Sequence, residues 1–168
     1  THEVEVAACA GIFTASLDRL GDRYDDGSAQ VLCMGCQRLF NDLSIAERAL
    51  LTCALVRAST AARNPSLEEL PTEFERSVAV KVAQMKRRRA DRPSRGAPVK
   101  LDVASGCRLL RRCGLRCTVT NVPLSATPGS LFMWSFDRMV AGSSYTTSTV
   151  QPVLHRYNDA KYVWDDSS

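Results

Sequence analysis

Apolar residues recur at intervals of three and four through the first half of the chain, a spacing that places them on one face of an α-helix. One series precedes Gly21 and predicts a first helix: Val6, Cys9, Phe13, Leu17 and Leu20. Another predicts a short second helix: Leu32, Cys36, Leu39, Phe40 and Leu43. The N-terminal part of the chain is therefore predicted to be helical.

Two further helices carry start signals. Residues 44–47 (Ser-Ile-Ala-Glu) match a capping box, and the Ala- and Leu-rich helix that follows is predicted to end near Arg63, before Asn64-Pro65. Residues 72–75 (Thr-Glu-Phe-Glu) match a second box, followed by an apolar stripe: Phe74, Val78, Val82 and Met85. Acids at the start of this helix and bases at its end complement the helix dipole. Residues 1–90 are thus predicted to form about four helices.

The second half of the chain has a mixed pattern. Asp102 is predicted to cap a short helix through Leu109 and Leu110 that Gly114 closes. Residues 115–120 alternate apolar and polar, which predicts a strand, and residues 131–140 fit a helix or a strand, with the helix preferred. The predicted fold is mainly helical α+β: a helical region (1–90), a basic Pro/Gly loop (91–100), and a smaller mixed α/β region (101–168) packed on the first. At 168 residues one domain is expected.

Positive charge is concentrated in one window. The whole chain has a net charge of +4, whereas residues 81–116 hold 12 Lys and Arg residues against the acids Asp91 and Asp102. Such a segment repels itself, so a polyanion such as RNA is its natural partner. A solvated loop or a nuclear-import signal is the alternative. The predicted nucleic-acid-binding residues are Lys86, Arg87, Arg88, Arg89, Arg92, Arg95, Lys100, Arg108, Arg111, Arg112 and Arg116.

The kind of contact also follows from the residue types. Arg outnumbers Lys in the window by nine to three, and the planar guanidinium suits phosphate or buried interface pairs. No RNP-type aromatic motif accompanies it, so contacts to the backbone rather than base-specific recognition are predicted. Trp134 and Phe136 are interpreted as core residues.

Cysteine usage indicates a reducing compartment, because seven is an odd number and the chain is large enough to fold without disulfides. Cys33 and Cys36 have metal-ligand spacing, and Cys113 and Cys117 lie four apart, so a zinc site is an alternative. The C-x₃-C spacing of the second pair and the apolar stripe around the first favour buried thiols instead. No metal or cofactor is predicted.

Catalytic motifs are lacking in the sequence. The two histidines, His2 and His155, lie far apart, and no nucleophile-elbow, phosphate-loop, dinucleotide-binding or zinc-protease motif occurs. The chain is therefore not predicted to be an enzyme. No apolar run approaches about 18 residues, so no membrane span is predicted.

The C-terminal tail combines aromatic residues with an acidic end. Tyr157, Tyr162 and Trp164 precede Asp165-Asp166. Aromatic side chains often anchor interfaces, so these three are predicted to dock on a neighbouring protein subunit.

Residues 43–67 contain the pattern Leu-Ser, then Leu-Leu, then Ala-Leu, with Pro65 and Leu67 downstream. This segment resembles one unit of the helical repeats in FAST-kinase-like and octotricopeptide-like proteins. The resemblance implies an association with ribonucleoproteins in an organelle. A presequence removed before Thr1 is compatible with it, as are a trimmed initiator Met and an excerpt of a longer chain.

Together these observations predict a non-catalytic structural subunit of a ribonucleoprotein that contacts RNA and neighbouring proteins. The leading hypothesis is a mitochondrial ribosome, with mitochondrial localisation. One alternative is a viral nucleocapsid or coat subunit, in the virion or the cytoplasm. Another is an accessory subunit of a protein-only complex such as a respiratory assembly.

Overall fold

The computed structural model describes the backbone of residues 15–19 and 29–33, and residues 39–40, 42–91, 98–140 and 142–161 in full. Four helices belong to this part of the chain: α1 (Ile45–Thr60), α2 (Thr72–Ala90), α3 (Val103–Arg112) and α4 (His155–Lys161). Four strands accompany them: β1 (Ala15–Arg19), β2 (Ala29–Cys33), β3 (Trp134–Arg138) and β4 (Val150–Leu154). The predicted fold class, mainly helical α+β, is confirmed.

The first two predicted helices are wrong at residues 15–19 and 29–33, whereas Leu39 and Phe40 of the second are helical as predicted. Leu17 lies in β1 and Leu32 in β2, and these strands pair antiparallel with Leu17 opposite Val31. In β1, Ala15 and Leu17 alternate with polar residues, so this short window fits a period of two as well as a helical period. The pairing of β1 with β2 decides between a strand and a helix here, and the spacing of apolar residues does not reveal that pairing. The other members of both series before Leu39 lie outside the described residues.

The capping box of α1 is confirmed. The Ser44 hydroxyl accepts a hydrogen bond from the Glu47 amide at 3.3 Å, and the Glu47 carboxylate accepts one from the Ser44 amide at 2.9 Å. The helix ends at Thr60, slightly before the predicted position. Its last carbonyls are capped from a distant turn, because the Asn121 side-chain amide donates to Ala58 O at 3.1 Å and to Ala61 O at 2.9 Å.

We expect Asn121→Ala to lower the free energy of unfolding by about 2 kcal/mol. The substitution removes both hydrogen bonds to the end of α1, and it places alanine at a φ of 58°, where Asn is tolerated better. Urea denaturation followed by circular dichroism measures the loss. Asn121→Gly is the control, since it removes the amide but relieves the backbone, and it should lose about half as much. Equal losses in both variants would contradict the role of the positive φ.

The starts of α2 and α3 differ in how well they were predicted. Pro71 occupies the N-cap of α2 and no side chain caps it, so the predicted box at Thr72 is wrong: Thr72 is already inside the helix. Asp102 caps α3 as predicted, accepting a hydrogen bond from the Ser105 amide at 2.7 Å. Gly114 follows the helix with a φ of 58°, a conformation that glycine adopts without strain.

Helices α2 and α3 approach each other closely at Gly106. A Cβ atom at this position would lie 2.7 Å from Val78 Cγ1 and 3.1 Å from Phe136 Cζ. Only glycine therefore fits this crossing without displacing its neighbours.

The mixed region contains two corrections. Residues 131–140 hold β3 and not the preferred helix, and β3 pairs antiparallel with β4, with Trp134 opposite Leu154. Residues 115–120 form a turn and not a strand, because Leu115 has a φ of 56° and the Cys117 amide donates back to Val122 O at 2.9 Å. Of the three alternating apolar residues, Cys117 is buried in the core, Leu115 is half-buried and Val119 is exposed.

One hydrophobic cluster joins the helical and mixed regions. Its fully buried side chains come from both: Leu51, Val78, Leu101, Leu110, Cys117, Val122, Trp134, Val153 and Leu154. Trp134 donates its indole N–H to Ser77 Oγ at 2.9 Å and meets Phe136 edge to face, with ring centroids 4.8 Å apart. Both aromatic rings are core residues, as interpreted from the sequence.

Helix α4 is joined to β3 by a buried ion pair. Lys161 Nζ lies 2.9 Å from Asp137 Oδ2, and the two side chains are 4% and 5% exposed. The ammonium also donates to Arg138 O at 2.8 Å, and Gln151 donates to Asp137 Oδ2 at 3.1 Å. Both charges therefore have hydrogen-bonded partners inside the fold.

Candidate nucleic-acid interface

Three consecutive cationic residues lie near the C-terminal end of α2. Lys86, Arg87 and Arg88 are exposed, and within the described part of the chain none of them makes a hydrogen bond or an ion pair through its side chain. Successive residues of a helix are rotated by about 100°, so the three side chains point in different directions around the helix end. Arg89 is different, because it is half-buried and interacts within the chain.

Further cations lie at the same end of the α2–α3 pair. Hydrogen bonds from Ser105 lower the pKa of Asp102, and the charges of Arg108 and Lys86 lower it further, so both cations lie near this carboxylate. The exposed Lys100 precedes Asp102 by two residues. We call the set Lys86, Arg87, Arg88, Lys100 and Arg108 the basic end.

Arg111 and Arg112 lie at the opposite end of α3. Arg111 donates to Glu68 O at 3.1 Å, and its own carbonyl accepts from the Leu67 amide at 3.0 Å. Glu75 near Cys107 and Lys86 near Asp102 show that α3 runs antiparallel to α2. The predicted phosphate-binding residues therefore extend along the helix pair, from Lys86 and Lys100 at one end through Arg108 to Arg112 at the other.

Arg116 is used inside the fold. Its guanidinium donates to Asn121 O at 2.7 Å and lines a pocket of about 290 Å³ together with Arg57 and Phe132. It therefore supports the turn that caps α1 and is not part of the basic end. Arg92 and Arg95 lie outside the described residues, as do Tyr162 and Trp164.

Tyr157 is placed within the chain's own fold. It belongs to α4, is half-buried, and packs against the hydrophobic core. The structure shows Tyr157 in contact with the core of its own chain. Its docking on a neighbouring subunit stays a prediction.

A groove that the sequence analysis missed runs along another face of α2. We call it the α2 groove; it has a volume of about 760 Å³, and Arg76, Lys81 and Arg88 line its α2 side. The ammonium of Lys81 lies 5.0 Å from the centroid of the Trp134 ring, and burial, together with the charge of Arg88, lowers the pKa of Lys81. The sequence feature that indicates this groove is a second stripe at helical spacing along α2, made of polar and charged residues: Ser77, Lys81, Gln84 and Arg88.

The cysteines of the second candidate pair are both partnered inside the fold. Cys113 Sγ donates to Leu110 O at 3.2 Å, and burial raises the pKa of its thiol, which disfavours the thiolate that zinc requires. Cys117 is 1% exposed and accepts from the Thr120 amide. Cys33 ends β2, and Cys36 lies outside the described residues. Where the structure describes side chains, no three potential ligands come together.

Across the described ranges, no helix combines the length and the apolar character needed to cross a bilayer. No protein-family model matches this chain, and comparisons with curated proteins and with solved structures give no match either. The resemblance of residues 43–67 to an organellar helical-repeat unit therefore stays a prediction. In the structure these residues form α1 and the non-helical segment that follows it.

Proposed function

We propose that this protein is a non-catalytic structural subunit of a ribonucleoprotein, and that its basic end binds the RNA backbone. One observation carries the proposal: Lys86, Arg87 and Arg88 are consecutive and exposed, and in the described part of the chain their side chains make no hydrogen bond or ion pair. Three adjacent cations repel one another, and phosphates relieve that repulsion while releasing counterions. The two arginines also offer planar donors that match phosphate oxygens.

Helix α1 supports the second part of the proposal, contact with neighbouring proteins. Ile45, Leu50 and Val56 are 76%, 55% and 63% exposed. Only three of the 16 residues of α1 are charged, so its outer surface is largely apolar. Ile45 and Val56 lie on nearly the same side of α1, and a neighbouring protein that packs there would bury both.

The leading assignment remains a mitochondrial ribosome, supported by the basic end and by the resemblance of residues 43–67 to organellar repeat units. A viral nucleocapsid subunit would use the same cations on its genome, and a subunit of a protein-only complex would use them on acidic protein. The purified native particle separates these alternatives. A 260/280 nm absorbance ratio typical of nucleic acid excludes the protein-only complex, and one copy per particle favours the ribosome over a repeating coat.

The double variant Lys86→Gln/Arg87→Gln should weaken binding to duplex RNA and make the negative slope of log K against log salt shallower by about 2. The reason is that each cation lost from a phosphate contact removes about one released counterion. Fluorescence anisotropy over a range of salt concentrations measures both quantities. The loss should be similar for RNAs of unrelated sequence, since backbone contacts carry no sequence information.

The matched control is Arg57→Gln/Arg63→Gln, which removes two exposed cations outside the predicted binding set; Arg57 lines the pocket at Arg116, and Arg63 donates to Thr118 O. Net charge falls equally in both variants, so a purely global charge effect predicts equal losses. The proposed interface predicts a clearly smaller loss in the control. Unchanged affinity in the Lys86/Arg87 variant would refute the proposed function.

A further inference from the structure

The α2 groove has two chemically different sides. On the α2 side, Arg76, Lys81 and Arg88 span 12 residues, which is about 18 Å along the helix axis. The facing side contains Met133, Phe136 and Tyr145 beside polar residues such as Ser135, His155 and Asn158. Cations that face a wall of apolar, aromatic and polar side chains suit a ligand that has both negative charge and flat apolar rings.

Acidic residues modify this charge only in part. Glu73 lies 15 residues from Arg88 along α2, so it lines the far end of the groove. Asp159 lines the groove from α4, with its Oδ2 3.5 Å from His155 Nε2. The cations therefore dominate where the groove approaches the basic end.

The aromatic wall is held in place by contacts outside the groove lining. The Arg138 guanidinium lies 5.1 Å from the Tyr145 ring centroid, and the Tyr145 backbone pairs with Pro98 O and with the Lys100 amide. Those backbone bonds place Tyr145 beside Lys100 of the basic end. Arg88 belongs to both surfaces, so the groove and the basic end are continuous.

We propose that the α2 groove binds one or two nucleotides of single-stranded RNA that continues from the basic end. Phosphates lie along Lys81 and Arg88, and a base packs against Tyr145. The Asn158 side-chain amide donates to Ser135 Oγ and to Phe136 O. Its amide oxygen therefore stays available as a hydrogen-bond acceptor in the groove lining. This inference rests on the proposed function and adds a strand preference to it.

The observations favour RNA over an acidic peptide as the occupant. An acidic peptide would use the cationic side alone, whereas nucleotides use both sides. Stacking of bases on aromatic side chains is largely independent of sequence, which agrees with an interface that lacks base-reading motifs. A volume of about 760 Å³ is in the range of small-ligand sites, so the groove accepts a single strand and not a duplex.

The test compares single-stranded RNA of about eight nucleotides with duplex RNA, using fluorescence anisotropy on the full chain. Lys81→Met removes the charge but keeps an apolar stem over Trp134, and Tyr145→Ala removes the ring. Each should weaken single-strand binding about tenfold and leave duplex binding within about twofold. Tyr145→Phe keeps the ring and should bind like the wild type. Thermal melts of all variants confirm that each is folded.

The outcomes separate the inference from the proposed function. If both groove variants bind the single strand normally while Lys86→Gln/Arg87→Gln does not, the inference is wrong and the proposed function stands. If wild-type protein binds neither RNA, both fail. If a poly-glutamate peptide displaces the single strand as well as unlabelled RNA does, the groove is an acidic-peptide site and the inference is overturned.

Discussion

Replacing Lys161 with Met should lower the free energy of unfolding by about 3–5 kcal/mol. The ammonium lies 2.9 Å from the Asp137 carboxylate, and both side chains are nearly inaccessible to water. Methionine fills the same volume but leaves the carboxylate buried with the neutral donor Gln151 as its remaining partner. Urea denaturation followed by circular dichroism and tryptophan fluorescence measures the loss.

Two further variants isolate the cause. Lys86→Met makes the same chemical change at an exposed position and should alter stability by less than about 0.5 kcal/mol. Lys161→Met/Asp137→Leu removes both charges and should recover most of the loss, because the penalty comes from the isolated carboxylate. A loss below about 1 kcal/mol in Lys161→Met would mean that water reaches Asp137 in the folded protein.

This ion pair also changes how the tail is tested. The sequence predicts that Tyr157, Tyr162 and Trp164 dock on a neighbour, yet Lys161 and Ala160 are buried in this chain. A deletion that starts at Tyr157 would remove the partner of Asp137 and destabilise the fold for that reason alone. A truncation after Lys161 removes Tyr162 and Trp164 while keeping the pair, so it tests docking separately from folding.

Helices were predictable where caps and spacing agree. Ser44 with Glu47, and Asp102 with Ser105, mark helix starts through contacts within three residues, so local sequence suffices to locate them. The stripe of Phe74, Val78 and Val82 enters the core as its spacing indicates.

Strands and turns were less predictable because their determinants are not local. The windows around Leu17 and Phe136 fit two periods equally well, and partners in the paired strands decide the outcome. Residues 115–120 alternate like a strand, but the turn is stabilised by contacts of Asn121 with α1, about 60 residues away.

The sequence predicts the positive charge of the candidate site but not how its residues are arranged in space. Exposure of Lys86, Arg87 and Arg88 follows from their type, whereas the antiparallel packing that carries Arg111 and Arg112 away from them does not. The groove depends on Tyr145 and Lys81 lining one cavity, and no spacing in the sequence joins residues so far apart. Its cationic side alone was recognisable, as the stripe of Ser77, Lys81, Gln84 and Arg88.

The contact between Gly106 and Val78 gives the last expected result. Gly106→Val should lower the free energy of unfolding by about 3 kcal/mol, and Gly106→Ala by about 1–2 kcal/mol. In both, the new Cβ lies 2.7 Å from Val78 Cγ1, so α2 and α3 must separate or Val78 must leave its place in the core. Alanine loses less because valine adds two further methyl groups to the same crowded space, and because alanine gains the larger helix propensity over glycine, about 1 kcal/mol.

A double-mutant cycle shows whether steric overlap causes this loss. Val78→Ala removes Cγ1 and creates a cavity, so alone it is destabilising; combined with Gly106→Ala, the added methyl group occupies part of that cavity. The double variant should therefore be more stable than the sum of the single losses predicts, with a coupling energy of about 1 kcal/mol or more. Ala104→Gly, at an exposed position of α3, calibrates helix propensity alone. If Gly106→Ala instead raises stability by the amount that Ala104→Gly lowers it, then propensity alone operates at Gly106, and the two helices do not approach each other as closely as 2.7 Å implies.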